Sequence, residues 1–105
     1  MKLNNIINRI KSINPNIKFV GEFDENNRKT GYWEHYYRSG KIDWKGNYLN
    51  GKYHGYWEEY WPNGNLWMKG DFANGKQDGY WEYYYENGNL ARKVNYIKGK
   101  FYEIK

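Results

Sequence analysis

Three glutamates, Glu34, Glu58 and Glu82, stand 24 residues apart, each closing the same tetrad: Gly31-Tyr32-Trp33-Glu34, Gly55-Tyr56-Trp57-Glu58 and Gly79-Tyr80-Trp81-Glu82. On equivalent strands two spacings apart, such carboxylates lie roughly 9–10 Å from one another. That is close to the acid–base separation of an inverting glycosidase. The repeat that places one Glu places all three, however, and nothing pairs one differently from the next. The row therefore reads as solvated surface, whose truncation costs under ~0.5 kcal/mol. His35 and His54 occupy non-equivalent places in the unit and have no third ligand at metal-binding spacing. Ser12 and Ser39 stand beside no nucleophile motif. The absence of cysteine removes disulfides and thiolate chemistry together. These residues predict no catalytic, cofactor or metal site, and a chain that is not an enzyme.

The elements that would position them repeat with the same step. Each unit reads as two strands and two turns. The first strand covers Gly31–Tyr37, Gly55–Trp61 and Gly79–Tyr85 and is rich in Tyr and Trp, which suit a pleated surface. Short loops ending in Gly40, Gly64 and Gly88 follow. The second strand alternates with period 2 through Ile42, Trp44 and Tyr48, then Leu66, Met68 and Phe72, then Leu90, Val94 and Tyr96. Gly46 and Gly70 share that apolar face and mark a bulge, or a place where a neighbouring ring lies on bare backbone. Asn50-Gly51 and Asn74-Gly75 signal tight hairpins, with Lys98-Gly99 a weaker copy. Upstream, Ile17, Phe19, Gly21 and Phe23 reproduce Ile42, Trp44, Gly46 and Tyr48 with a shift of 25, the extra residue falling in the loop 24–30. Leu3, Ile6, Ile7, Ile10 and Ile13 have helical spacing and predict a short amphipathic helix, stopped by Asn14-Pro15-Asn16, that caps an open end of the sheet.

The expectation is one mainly β domain over 1–105. It is an elongated, twisted antiparallel meander of β-hairpins with a capping helix at 1–14, a half repeat at 17–30 and repeats at 31–54, 55–78 and 79–102. Seven or eight strands are expected, the last near Phe101–Ile104. Trp33, Trp57 and Trp81 share one strand face; with Gly31, Gly55 and Gly79 they form the core and repeat signature. Tyr32, Tyr36, Tyr56, Tyr60, Tyr80 and Tyr84 share the other face and form the candidate binding face, since contiguous exposed rings usually have a partner.

The charge is uneven. Residues 19–91 hold 8 basic and 11 acidic residues, while the net charge of +5 comes from the basic ends. A nucleic-acid binder carries positive charge along its binding face, so nucleic acid is not the expected partner. The first residues lack the unbroken apolar centre of a secretory signal, and a cytoplasmic location is expected.

The pattern Gly46-Asn47-Tyr48-Leu49-Asn50-Gly51-Lys52-Tyr53-His54-Gly55, recurring at 70–79, resembles the MORN repeat (membrane occupation and recognition nexus). The following Tyr-Trp-Glu resembles the bacterial variant found in YwqK-like antitoxins. The resemblance covers roughly residues 17–100. Val94-Asn95 is read in place of the earlier Lys-Gly, leaving the last unit degenerate. The resemblance implies a single sheet of hairpins and a non-catalytic protein-interaction module, with a cognate toxin or a second copy as partner. Its rivals are a peripheral module holding anionic lipid through the basic ends and a carbohydrate or peptide binder using the tyrosine ladder.

Overall fold

The computed structural model describes residues 17–105. The expected N-terminal helix lies outside the described residues. Eight strands form one antiparallel sheet in sequence order: β1 (Phe19–Phe23), β2 (Lys29–Tyr36), β3 (Ile42–Leu49), β4 (Lys52–Tyr60), β5 (Leu66–Ala73), β6 (Lys76–Tyr84), β7 (Leu90–Ile97) and β8 (Lys100–Ile104). The radius of gyration is 15.0 Å, against roughly 13 Å for a compact domain of this length. The sheet is therefore elongated, as the repeat requires.

Turn chemistry sets the meander. Asn50-Gly51, Asn74-Gly75 and Lys98-Gly99 all have positive φ at both residues, the type I′ geometry that matches strand twist. The β1–β2 loop is longer. Its Asp24 side chain caps the backbone N–H groups of Asn26 and Arg28, both at 2.9 Å, and Phe23 pairs with Lys29 where Tyr48 pairs with Tyr53. The extra residue of the half repeat sits where it was expected.

The structure corrects the sequence reading at two points. The first strand of each unit begins before its glycine, at Lys29, Lys52 and Lys76. Gly31, Gly55 and Gly79 lie inside the strands, with φ of +68°, +75° and +74°. Register slips beside them, leaving extra residues on β2, β4 and β6. They are bulge residues, and a Cβ there would meet nothing within 4 Å. Conformation alone demands glycine. In the last unit Lys93 aligns with Lys45 and Lys69, each opposite a repeat glutamate. Lysine is retained, and only the glycine is replaced, by Val94.

That glycine rung explains the core. Across the sheet Trp33 pairs with Gly46, Gly46 with Trp57, Trp57 with Gly70 and Trp81 with Val94, and the Trp81 ring lies against Gly70. A Cβ on Gly21 would lie 2.0 Å from the Trp33 ring, one on Gly46 2.1 Å from Trp57, and one on Gly70 2.2 Å from Trp81. Each indole lies flat on the glycine of the preceding strand. No tryptophan stands at the corresponding distance after Val94, because position 105 is Lys; valine is tolerated there because no ring needs the space. Trp33, Trp57 and Trp81 are buried, with Phe19 stacked on Trp33 (5.4 Å) and Trp44 on Trp57 (4.7 Å). The indole N–H groups are satisfied: Trp33 donates to the Glu22 and Thr30 carbonyls, Trp81 to the Asp71 carbonyl and Trp57 to Glu59 Oε1. A single-layer sheet thus builds a core by laying rings on bare backbone.

Candidate functional site

The repeat tetrad places Tyr, Glu and Tyr at alternate positions, so all three side chains leave the face opposite the tryptophans. Glu34 accepts hydrogen bonds from Tyr32 Oη and Tyr36 Oη, both at 2.6 Å. Glu58 accepts from Tyr56 at 2.7 Å and Tyr60 at 2.5 Å, and Glu82 accepts from Tyr80 at 2.7 Å and from Tyr84. One tyrosine takes each carboxylate oxygen. Lysines close the row: Lys45 Nζ lies 3.4 Å from Glu58, and Lys69 Nζ lies 3.3 Å from Glu82. The rung reads Glu34, Lys45, Glu58, Lys69, Glu82, Lys93 across six strands.

This corrects the expectation of a solvated glutamate row. Glu34 is 5% exposed. At Glu58 burial pushes the carboxyl pKa up, but the Tyr60 and Tyr56 hydroxyls and Lys45 outweigh it and hold it below the usual value. At Glu82 the Tyr84 and Tyr80 hydroxyls hold it down, with help from Lys69. A general acid needs the opposite shift, toward neutrality. Burial and the bond to Glu34 push the Tyr32 and Tyr36 phenols up. The bond to Glu82 pushes Tyr80 up to about 12; burial and the same carboxylate raise Tyr84 to about 12. Each carboxylate–phenol set is tied up as a hydrogen-bonded clamp.

The six tyrosines of the candidate binding face do share one face, but with graded exposure. Tyr36 is buried, Tyr32, Tyr60 and Tyr84 are half-buried, and Tyr56 and Tyr80 are 49% and 47% exposed. Their hydroxyls are taken by the glutamates; what remains open is ring surface on Tyr56 and Tyr80. The signature residues Trp33, Trp57 and Trp81 form the core of the other face, and Gly31, Gly55 and Gly79 form its bulges.

Glu59 escaped the sequence reading. It is half-buried, burial raises its pKa, and its Oε1 holds the Trp57 indole N–H at 3.1 Å. The available signal was a break in the repeat, because His35 and Tyr83 occupy the equivalent positions. His35 stacks on Trp44 at 5.4 Å and meets Asp43 at 3.2 Å, whereas His54 is exposed opposite Asn47. Among the described residues no three His, Cys, Asp or Glu side chains gather as metal ligands. No helix among them is long and apolar enough to cross a membrane.

Charge without a partner collects elsewhere. Lys52, Lys76, Lys98 and Lys100 are exposed along the edge carrying the Asn-Gly turns and make no ion pair among the described residues.

The family described as MORN repeat variant matches residues 29–50, 53–74 and 77–98. These matches coincide with the hairpins β2–β3, β4–β5 and β6–β7. No curated protein matches the chain.

Proposed function

The chain belongs to the MORN repeat variant family, whose repeats are protein- or membrane-interaction modules and not catalytic, and on that premise we propose that it is a protein-interaction module. The observation that carries this reading is the fate of its most reactive-looking residues. All three repeat carboxylates are consumed by tyrosine clamps, two of them also by lysine. Ring surface, by contrast, remains open at Tyr56 and Tyr80 on the clamp face and at Tyr53 and Phe101 on the tryptophan face. Apolar surface of this kind, distributed over several equivalent units, suits one extended partner.

The finer reading is an antitoxin- or immunity-type protein acting on a cognate toxin in the cytoplasm; its support is the Tyr-Trp-Glu form of the repeat. A second copy is the competing protein partner, through β8, all five of whose residues are exposed. Lys100 and Lys105 on that strand and its tail repel a copy of themselves, which favours a foreign partner.

The test is retention by the immobilised full chain, from a native extract and from anionic vesicles, at low and high salt. Saturable retention of a protein that survives high salt is expected. Retention of vesicles alone, lost on adding salt, would replace the protein reading with the lipid one.

A further inference from the structure

Lys52, Lys76, Lys98 and Lys100, which make no ion pair among the described residues, sit on a repeating cleft. Between the turns at Gly51 and Gly75 the cleft is lined by Lys29, Tyr48, Gly51, Lys52, Tyr53 and Gly75. Between the turns at Gly75 and Gly99 it is lined by Phe72, Gly75, Lys76, Gln77, Lys98, Gly99 and Lys100. Adding 24 to Tyr48, Gly51, Lys52 and Gly75 yields Phe72, Gly75, Lys76 and Gly99, so one cleft is the other moved by one repeat. Each has an aromatic floor and two turn glycines. The bare glycines shape it: a Cβ on Gly75 would meet the Lys52 stem at 3.7 Å, and one on Gly99 the Lys76 stem at the same distance. The Lys52 and Lys76 stems therefore lie along the adjoining turns, one repeat apart.

Equivalent turns are two strand spacings apart, about 9.5 Å. A polyproline II segment places every third side chain on one face, at about 9.3 Å intervals. Three residues of such a segment thus advance by one repeat. The segment is stiff before binding, and aromatic-lined grooves are its usual seats. We propose that the turn edge from Gly51 to Lys100 binds an extended acidic, proline-containing segment of a partner protein, with a carboxylate every third residue facing Lys52, Lys76 and Lys100 in turn and prolines over Tyr53 and Phe72. This rests on the protein-interaction reading above and specifies its surface and partner chemistry. Charge complementarity selects the occupant. Lys52, Lys76 and Lys100 line this edge at one-repeat intervals and make no ion pair among the described residues, whereas Asp71 and Asp78 face each other further along β5 and β6.

The probe is a labelled peptide of four Glu-Pro-Pro repeats, titrated by fluorescence anisotropy against the full chain at moderate salt. The control peptide has the same composition with its glutamates in adjacent pairs. The in-register peptide is expected to bind about tenfold more tightly than the control, which is about 1.4 kcal/mol. The double variant Lys52→Glu/Lys76→Glu is expected to lose that binding, while Arg38→Glu on the opposite turn edge keeps it; an unchanged melting temperature shows that the double variant is folded. Equal affinity for both peptides would overturn the register and leave only charge attraction. Binding to phosphatidylserine vesicles but to neither peptide would overturn the proposal in favour of a membrane. Binding to neither peptide, with salt-resistant protein retention intact, would overturn this surface and spare the protein-interaction reading; loss of both would overturn the two together.

Discussion

At the scale of single residues, the tyrosine-clamped glutamate changes what truncation should cost. Trp57 is 2% exposed, and Trp57→Ala is expected to lose about 3–5 kcal/mol. Glu58→Ala removes two hydroxyl bonds and the Lys45 ion pair; a hydrogen bond to a charged group is worth about 1.5–3 kcal/mol, and the exposed Tyr56 hydroxyl can turn to water. A loss in that range, read from denaturant midpoints, is expected in place of the small surface value. A loss near zero would mean the clamp is decorative. The clamp also gives the protein an alkaline limit. A phenol whose folded pKa exceeds its unfolded value of about 10 contributes stability that is whole below that pH and disappears as pH climbs through the folded value. With Tyr80 and Tyr84 raised to about 12, the melting temperature is expected to hold to about pH 10 and then fall. Phenolate absorbance should lag behind that of free tyrosine; titration of every ring near pH ~10 would contradict the clamp. On the acid side the sign reverses. Glu58 and Glu82 are held low, so their contribution is present above about pH 4.3 and is lost as pH falls below it.

At the scale of elements, the glycine-to-indole fit makes the sharpest demand on sequence. Gly70→Ala puts a methyl 2.2 Å from Trp81, and overpacking of this kind costs about 1–3 kcal/mol or more as the ring is displaced. Gly55→Ala meets no atom within 4 Å but must hold φ at +75°, which costs about 1–2 kcal/mol. Crystal structures or tryptophan fluorescence of the two variants should separate the causes: Gly70→Ala alone moves an indole. A shifted spectrum in Gly55→Ala would contradict this division. The period, the hairpins and the ring-on-glycine contact were legible in the sequence because each depends on residue type at fixed spacing. The strand starts were misplaced, since a glycine inside a strand and a glycine before one look alike until the register is known. The clamp was legible in principle, as Tyr-x-Glu-x-Tyr on one face. Its lysine closure was not, because Lys45 and Lys69 come from neighbouring strands and only pairing puts them opposite Glu58 and Glu82.

At the scale of the whole molecule, the sheet behaves as an array whose units are tied to their neighbours at both edges. Tyr37 Oη donates to the Tyr60 carbonyl, and Trp61 Nε1 donates to that of Tyr84 at 3.1 Å. On the other edge, Gly51 N–H donates to the Lys29 carbonyl and Gly75 N–H to that of Tyr53. Such ties keep equivalent side chains in line over three hairpins, which is what an extended partner needs and a local reaction site does not. Hydrogen exchange with mass spectrometry, on the full chain alone and saturated with the protein it retains, tests this claim most directly. The predicted result is slowed exchange in one strip crossing at least three hairpins at equivalent positions, centred on residues 49–53, 73–77 and 97–101. Slowing confined to a single hairpin would contradict it, because that is the footprint of a site built from one unit.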